Sequence, residues 1–196
     1  MTLPVIGLAG GIGAGKSAAA AALQSLGCVV ADADVLAKAA LDAEHIRSQV
    51  VEWWGADILD AEGRVDRAAI AAIVFEQPDA LEKLEGLIHP EVDAQRQAIF
   101  GSAPEGTRAL VIDAPLLFEA ELDSLCDVVI FIDASRETRL ARVADTRGWD
   151  ARELDRREVR QLALDSKRSQ ADHVVVNEGG PEALHAALEG ILDTLI

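Results

Sequence analysis

Residues 5–17, Val5-Ile6-Gly7-Leu8-Ala9-Gly10-Gly11-Ile12-Gly13-Ala14-Gly15-Lys16-Ser17, decide the fold. An apolar run leads into Gly10-x-x-x-x-Gly15-Lys16-Ser17, and an Ala-rich helical stretch follows. This is the phosphate-binding P-loop pattern in the strand–loop–helix setting that it requires. The glycines let the backbone curl so that N–H groups from Gly13 to Ala18 converge on one anion, and the helix N-terminus adds its positive end. In that pattern Lys16 reaches the β- and γ-phosphates and the Ser17 hydroxyl holds Mg²⁺. A Gly-rich turn before an ordinary helix is the plainer alternative; the complete pattern in this context points to a nucleoside triphosphate.

Further along the chain, short β-branched runs predict strands at Val5–Leu8, Cys28–Ala31, Ala109–Ile112, Val128–Ile132 and His173–Val176. Most are continuous apolar runs, as parallel strands covered on both faces require. Their alternation with helices predicts a doubly wound α/β sheet that binds ligands at the carboxyl ends of its strands. The long interval between the second and third strands reads as helical over Val35–Leu41, His45–Trp54, Arg67–Phe75, Ala80–Leu87 and Pro90–Phe100. A single crossover helix does not need so much chain, so a helical insertion is expected there, suited to recognising a second substrate.

The 196 residues carry a net charge of −16, which argues against general nucleic-acid binding. Positive charge is concentrated: ten of the 18 Lys and Arg fall within residues 136–170, where seven acidic residues leave a net +3. Such a segment suits a small polyanion better than a duplex. It reads as a helix that breaks at Gly148 and resumes at Asp150, with Glu153 completing a capping-box pattern. Arg152, Arg156 and Arg160 share one helical face there. An Arg-rich helix–turn–helix between the last two strands is where small kinases carry a mobile lid; a solvated helix pair with ion pairs such as Glu153–Arg157 is the alternative. No apolar run is long enough for a membrane span, and no secretory signal is expected. Cys28 and Cys126 match no metal or redox spacing, so a reduced, cytoplasmic setting is expected.

Strand two ends in Ala31-Asp32-Ala33-Asp34. Asp34 lies further toward the carboxyl edge and suits a base that accepts a hydroxyl proton during phosphoryl transfer, whereas Asp32 reads as a cap for the following helix. Asp113, at the end of Leu110-Val111-Ile112-Asp113, offers a second acid beside the P-loop, with a plain strand end as the alternative. The turn Pro115-Leu116-Leu117-Phe118-Glu119 either walls an acceptor pocket or packs the loop. His89-Pro90 follows an amphipathic helix, with Pro90 suited to the first position of a new one.

In this order the motifs resemble those of the dephospho-CoA kinase family. They comprise the P-loop, Asp32-Ala33-Asp34 after Gly27, Gly55-Ala56-Asp57-Ile58-Leu59, Gly63-x-x-Asp66-Arg67, Ile73-Val74-Phe75, Leu84-Glu85 and His89-Pro90. Pro115–Glu119, Arg157-x-x-x-Gln161, Lys167 and Ala171-Asp172-His173-Val174-Val175-Val176-Asn177-x-Gly179 continue the series. The resemblance implies transfer of the γ-phosphoryl of ATP to the 3′-hydroxyl of dephospho-CoA, the last step of coenzyme A biosynthesis. It implies a P-loop kinase-type five-stranded parallel sheet flanked by helices, with a helical substrate-binding insertion and a lid. The nucleotide-binding core is then 1–34, 101–135 and 171–196, the insertion 35–100 and the lid 136–170. By position, Asp34, Lys16, Arg142 and Arg147 are the implied catalytic set. Gly11, Gly13, Ala14, Gly15, Lys16, Ser17 and Ala18 would hold nucleotide, and Ser17 the Mg²⁺. His89, Pro115, Leu116, Leu117 and Glu119 would serve the acceptor. ATP and dephospho-CoA are the implied partners, with no nucleic acid, membrane or obligate protein partner.

Two positions depart from the family pattern. Ala18 replaces the usual Thr or Ser, which removes a hydroxyl but keeps the backbone N–H. Thr146 stands where Arg is often found, with Arg147 one place later, so either Arg147 takes that role or Arg142 carries more of it. Two rivals remain from sequence alone: another small-metabolite kinase, differing in its insertion, and a P-loop switch that gains nothing from a small acceptor.

Overall fold

The computed structural model describes residues 3–195. Five parallel strands, β1 (Val5–Gly10), β2 (Val29–Asp32), β3 (Leu110–Asp113), β4 (Val128–Asp133) and β5 (His173–Val176), form one sheet in the order β2-β3-β1-β4-β5. The continuous apolar runs of β1 and β4 lie at its centre and are almost wholly buried, as strands covered on both faces must be. Helices α1 (Lys16–Ser25) and α9 (Pro181–Leu195) pack on the sheet through Ala19, Leu23, Leu184, Leu188 and Leu192. The chain leaves β1 toward β2 on one side and leaves β3 toward β4 on the other. The carboxyl ends of β1 and β3 therefore form the topological switch point, where open α/β sheets bind ligands.

The chain divides into two compact units: the sheet unit, with the residues through Asp32 and from Ser102 onward, and a helical unit, Ala33–Gly101. The helical unit contains α2 (Ala33–Asp42), α3 (Glu44–Trp54), α4 (Arg67–Glu76) and α5 (Pro78–Gly101). Its core is Ala40, Ile46, Val50, Ile58, Val65, Ile70, Leu84 and Ile88. Asp66 caps α4 by accepting the N–H groups of Ala68 and Ala69. The two helices expected over Ala80–Leu87 and Pro90–Phe100 are one, with Pro90 inside it. Leu84, Ile88 and Val92, four residues apart, all pack on the unit's core, so one apolar stripe runs straight past the proline. Burial of that stripe outweighs the backbone hydrogen bond that Pro90 cannot make.

The Arg-rich segment is three helices, α6 (Arg136–Arg147), α7 (Ala151–Glu158) and α8 (Leu164–Gln170). The break at Gly148 has φ +66°, and Asp150 accepts the Glu153 N–H. Glu153 does not complete the capping box, because its carboxylate pairs with Arg156 and Arg157. A second break separates α7 from α8, so Arg160 falls beyond the helix that carries Arg152 and Arg156. Among the described residues no helix is long and apolar enough to cross a membrane.

Candidate active site

The P-loop joins β1 to α1 at the switch point. Gly13 and Gly15 have φ of +79° and +96°, the left-handed region that glycine enters without steric cost. Close approach forbids side chains there as well. A Cβ on Gly13 would stand 2.7 Å from the Arg139 carbonyl oxygen, and one on Gly15 would stand 2.2 Å from the Asn177 amide nitrogen.

Three successive loop carbonyls are gripped from one side. Arg139 Nη1 donates to Ile12 O (3.3 Å), Arg142 Nη1 to Gly13 O (3.5 Å) and Ala14 O (3.0 Å), and Asn177 Nδ2 to Ala14 O (2.8 Å). Arg142 Nη2 also donates to Asn177 O (2.9 Å), and the Asn177 N–H donates to Asp133 O (2.7 Å). In a trans peptide the N–H points opposite to the C=O. Gripping Ile12 O and Ala14 O therefore turns the Gly13 and Gly15 N–H groups the other way. The first turn of α1 adds the N–H groups of Lys16, Ser17 and Ala18, which have no partner within the helix. It contains no acidic residue and no side-chain cap, so nothing in it competes with an anion.

Lys16 forms an ion pair with Asp113 at the end of β3. Asp113 is buried, 3% exposed, and stands in register with Asp32 on β2. Both carboxylates, with Ser17, Ala20, Ala21, Gln24 and Val30, line a cavity of about 240 Å³. That volume is small beside a whole nucleotide pocket, and its two carboxylates and the Ser17 hydroxyl suit a hydrated cation. A hydroxyl and two carboxylates are hard oxygen donors of the kind Mg²⁺ takes while keeping several waters, so these residues fit that ion. Asp34 lies in the first turn of α2 and is exposed. Asp32 precedes the first residue of α2 and, unlike the plain cap the sequence suggests, also faces the cavity.

The arginines of the 136–170 segment divide. Arg142 reaches the P-loop, whereas the Arg147 guanidinium lies over Trp149 at 4.7 Å, with Arg157 on the same ring at 4.1 Å. Arg136 pairs with Asp155 (2.6 Å) and buried Arg139 with Glu158, tying α7 to α6. Hydrogen bonds from Arg156 and then Arg157 hold the half-buried Glu153 carboxyl down at about 2. Glu178, next to Asn177, accepts the Ser135 N–H and the Thr138 hydroxyl at the start of α6, and its carboxyl lies below the usual range for that reason.

Of the residues expected to serve the acceptor, Leu116 is exposed and Leu117 is buried, 1% exposed, against Gly7 of β1. His89 is exposed on α5 of the helical unit. Glu119 Oε1 accepts from Lys167 Nζ (2.7 Å) and from the Leu162 N–H (2.8 Å). Burial pushes the Glu119 carboxyl up, but these two donors outweigh it and hold it below the ordinary glutamate range. Sequence reasoning assigned no role to Arg139 or Asn177, which brace the loop. Their partners lie 127 and 163 positions away in the chain, and only Asn177, within the last matching motif, carried any signal.

A family model described as dephospho-CoA kinase matches residues 4–182. A dephospho-CoA kinase from Anaeromyxobacter dehalogenans is 39% identical, over 97% of this chain and 92% of its own length. One from Corynebacterium diphtheriae is 37% identical, over 92% and 91%. A crystal structure from Thermus thermophilus matches with a TM-score of 0.86 and 33% identity, covering both chains fully.

Proposed function

This chain belongs to the dephospho-CoA kinase family, and from that premise we propose how its own residues carry out the reaction. The enzyme transfers a phosphoryl group from ATP to dephospho-CoA, giving coenzyme A and ADP. Phosphoryl transfer asks the protein chiefly to position and neutralise. Gly11, Gly13, Ala14, Gly15, Lys16, Ser17 and Ala18 form the cradle for the phosphates of ATP; the Ala14 N–H closes the loop on Gly11 O, and Gly13 and Gly15 are turned toward the phosphates by the Arg139–Arg142–Asn177 clamp. Lys16 exchanges the Asp113 carboxylate for the β- and γ-phosphates. Ser17 would hold Mg²⁺, with Asp113 and Asp32 beside it, and the bound ion would supply charge neutralisation on the phosphate oxygens. Ala18 contributes through its backbone N–H.

Asp34 takes the proton from the attacking 3′-hydroxyl. His89, Pro115 and Leu116 serve the acceptor, while Leu117 and Glu119 shape the turn from beneath. Arg142 and Arg147 neutralise charge on the transferring group, Arg147 after leaving the Trp149 ring. The reaction runs in the cytoplasm, a setting supported by Cys28 and Cys126 matching no metal or redox spacing. The meeting of Lys16, Asp113 and Ser17 at the switch point carries this reading.

The cavity favours a second reading of the base, because Asp32 lines it beside Ser17. Steady-state kinetics on three variants separate the roles. Lys16→Ala abolishes turnover. Asp34→Asn lowers kcat about a hundredfold or more if Asp34 is the base. A near-normal kcat in Asp34→Asn beside a large loss in Asp32→Asn transfers the role to Asp32.

A further inference from the structure

Lys167 on α8 is 1% exposed, and a lysine is almost never fully buried unless paired. Its ammonium has three donors, and three acceptors surround it: Glu119 Oε1 at 2.7 Å, Pro115 O at 3.2 Å and Gln161 Oε1 at 3.3 Å. Two of these belong to the turn that follows Asp113. The third belongs to the turn where the lid segment returns from α7 to α8. The same Glu119 Oε1 also takes the Leu162 N–H from that returning turn. Glu119 Oε2 is enclosed and accepts no hydrogen bond, so the contacts with Lys167 and Leu162 both run through Oε1.

From this we infer that Lys167 and Glu119 are a positioning pair that locks the Pro115–Glu119 turn to the Gln161–Leu162 turn at the foot of the lid, so that the acceptor-side segment and the lid segment share one anchor. The pair touches no reacting atom. It sets where the Pro115 and Leu116 segment stands relative to Asp113, and it ties the Gln161–Leu162 turn to the same anchor. This rests on the reading of Pro115 and Leu116 as acceptor-side residues.

The test is steady-state kinetics and thermal unfolding of Lys167→Met, Glu119→Gln and the double variant, with ATP and dephospho-CoA varied separately. Each single variant strands one buried charge and loses stability, and the double variant regains it because no unpaired charge remains. KM for dephospho-CoA stays raised roughly tenfold or more in the double variant, as misplacement of a binding segment produces, while KM for ATP stays within about twofold. A double variant with wild-type KM for dephospho-CoA overturns the pair's positioning role, as does an equal rise in both KM values. Leu116→Ala, measured alongside, separates the two possible failures. An unchanged KM there discards the acceptor-side turn and the proposal with it. A raised KM there beside an unchanged one in the double variant discards the pair alone.

Discussion

At the scale of single residues, the site depends on positions where only one side chain fits. Gly15 combines a φ of +96° with Asn177 packed where a Cβ would go. An alanine there adds backbone strain of about 1–2 kcal/mol and displaces the amide that holds Ala14 O. Gly15→Ala should therefore lose ATP binding in a calorimetric titration while keeping a cooperative thermal transition. Binding within threefold of wild type would contradict the clamp. The glycines and Lys16 were legible in the sequence because their chemistry is local and their spacing is dictated by one turn of backbone. Asn177 and Arg139 were not, because what they bind is a carbonyl, which every residue possesses. The Asp32–Asp34 pair was legible as a pair; two residues apart at a strand end, they differ only in where the helix begins.

At the scale of elements, the strand positions followed from continuous apolar runs, and every expected strand appears within two residues of its predicted limits. The helix boundaries held where a side chain supplies the cap and failed where packing overrides a local signal. Asp66 accepts two N–H groups at the start of α4, so Asp66→Ala should cost about 1 kcal/mol in chemical denaturation of the protein. Pro90 is the opposite case. A proline reads locally as a helix start, yet the stripe through Leu84, Ile88 and Val92 carries α5 past it. Replacing Pro90 with Ala restores a backbone donor and should raise the melting temperature, whereas a lower one would show that the proline's shape is needed. The break before α8 had no local signal at all, since the Leu162 N–H is held by Glu119 from a distant turn. The folded state holds the Glu119 carboxyl below its unfolded value, so its contribution is complete above the ordinary glutamate range. That contribution is lost as pH falls through the lowered value. Glu119→Gln should accordingly show a shallower loss of stability with acid, followed by circular dichroism; an acid limb parallel to wild type would deny Glu119 that part.

At the scale of the whole molecule, a net charge of −16 is an unpromising background for two anionic substrates. In the proposed mechanism the solution is local: backbone N–H groups, Lys16 and Arg142, the arginine of the basic segment that reaches the loop, gather positive potential at the phosphates. That distribution was readable from charge counts, whereas the pairing of Arg136 and Arg139 with acids of α7 was not. Occupying the site with ATP should raise the melting temperature in proportion to the logarithm of ligand concentration, and Lys16→Ala should reduce that response. The most direct test of the account is ADP release by the purified protein with MgATP, with and without dephospho-CoA, together with the mass of the product. Turnover that depends on dephospho-CoA and yields a product heavier by one phosphate is the predicted result. ATP binding with no response to dephospho-CoA would contradict it.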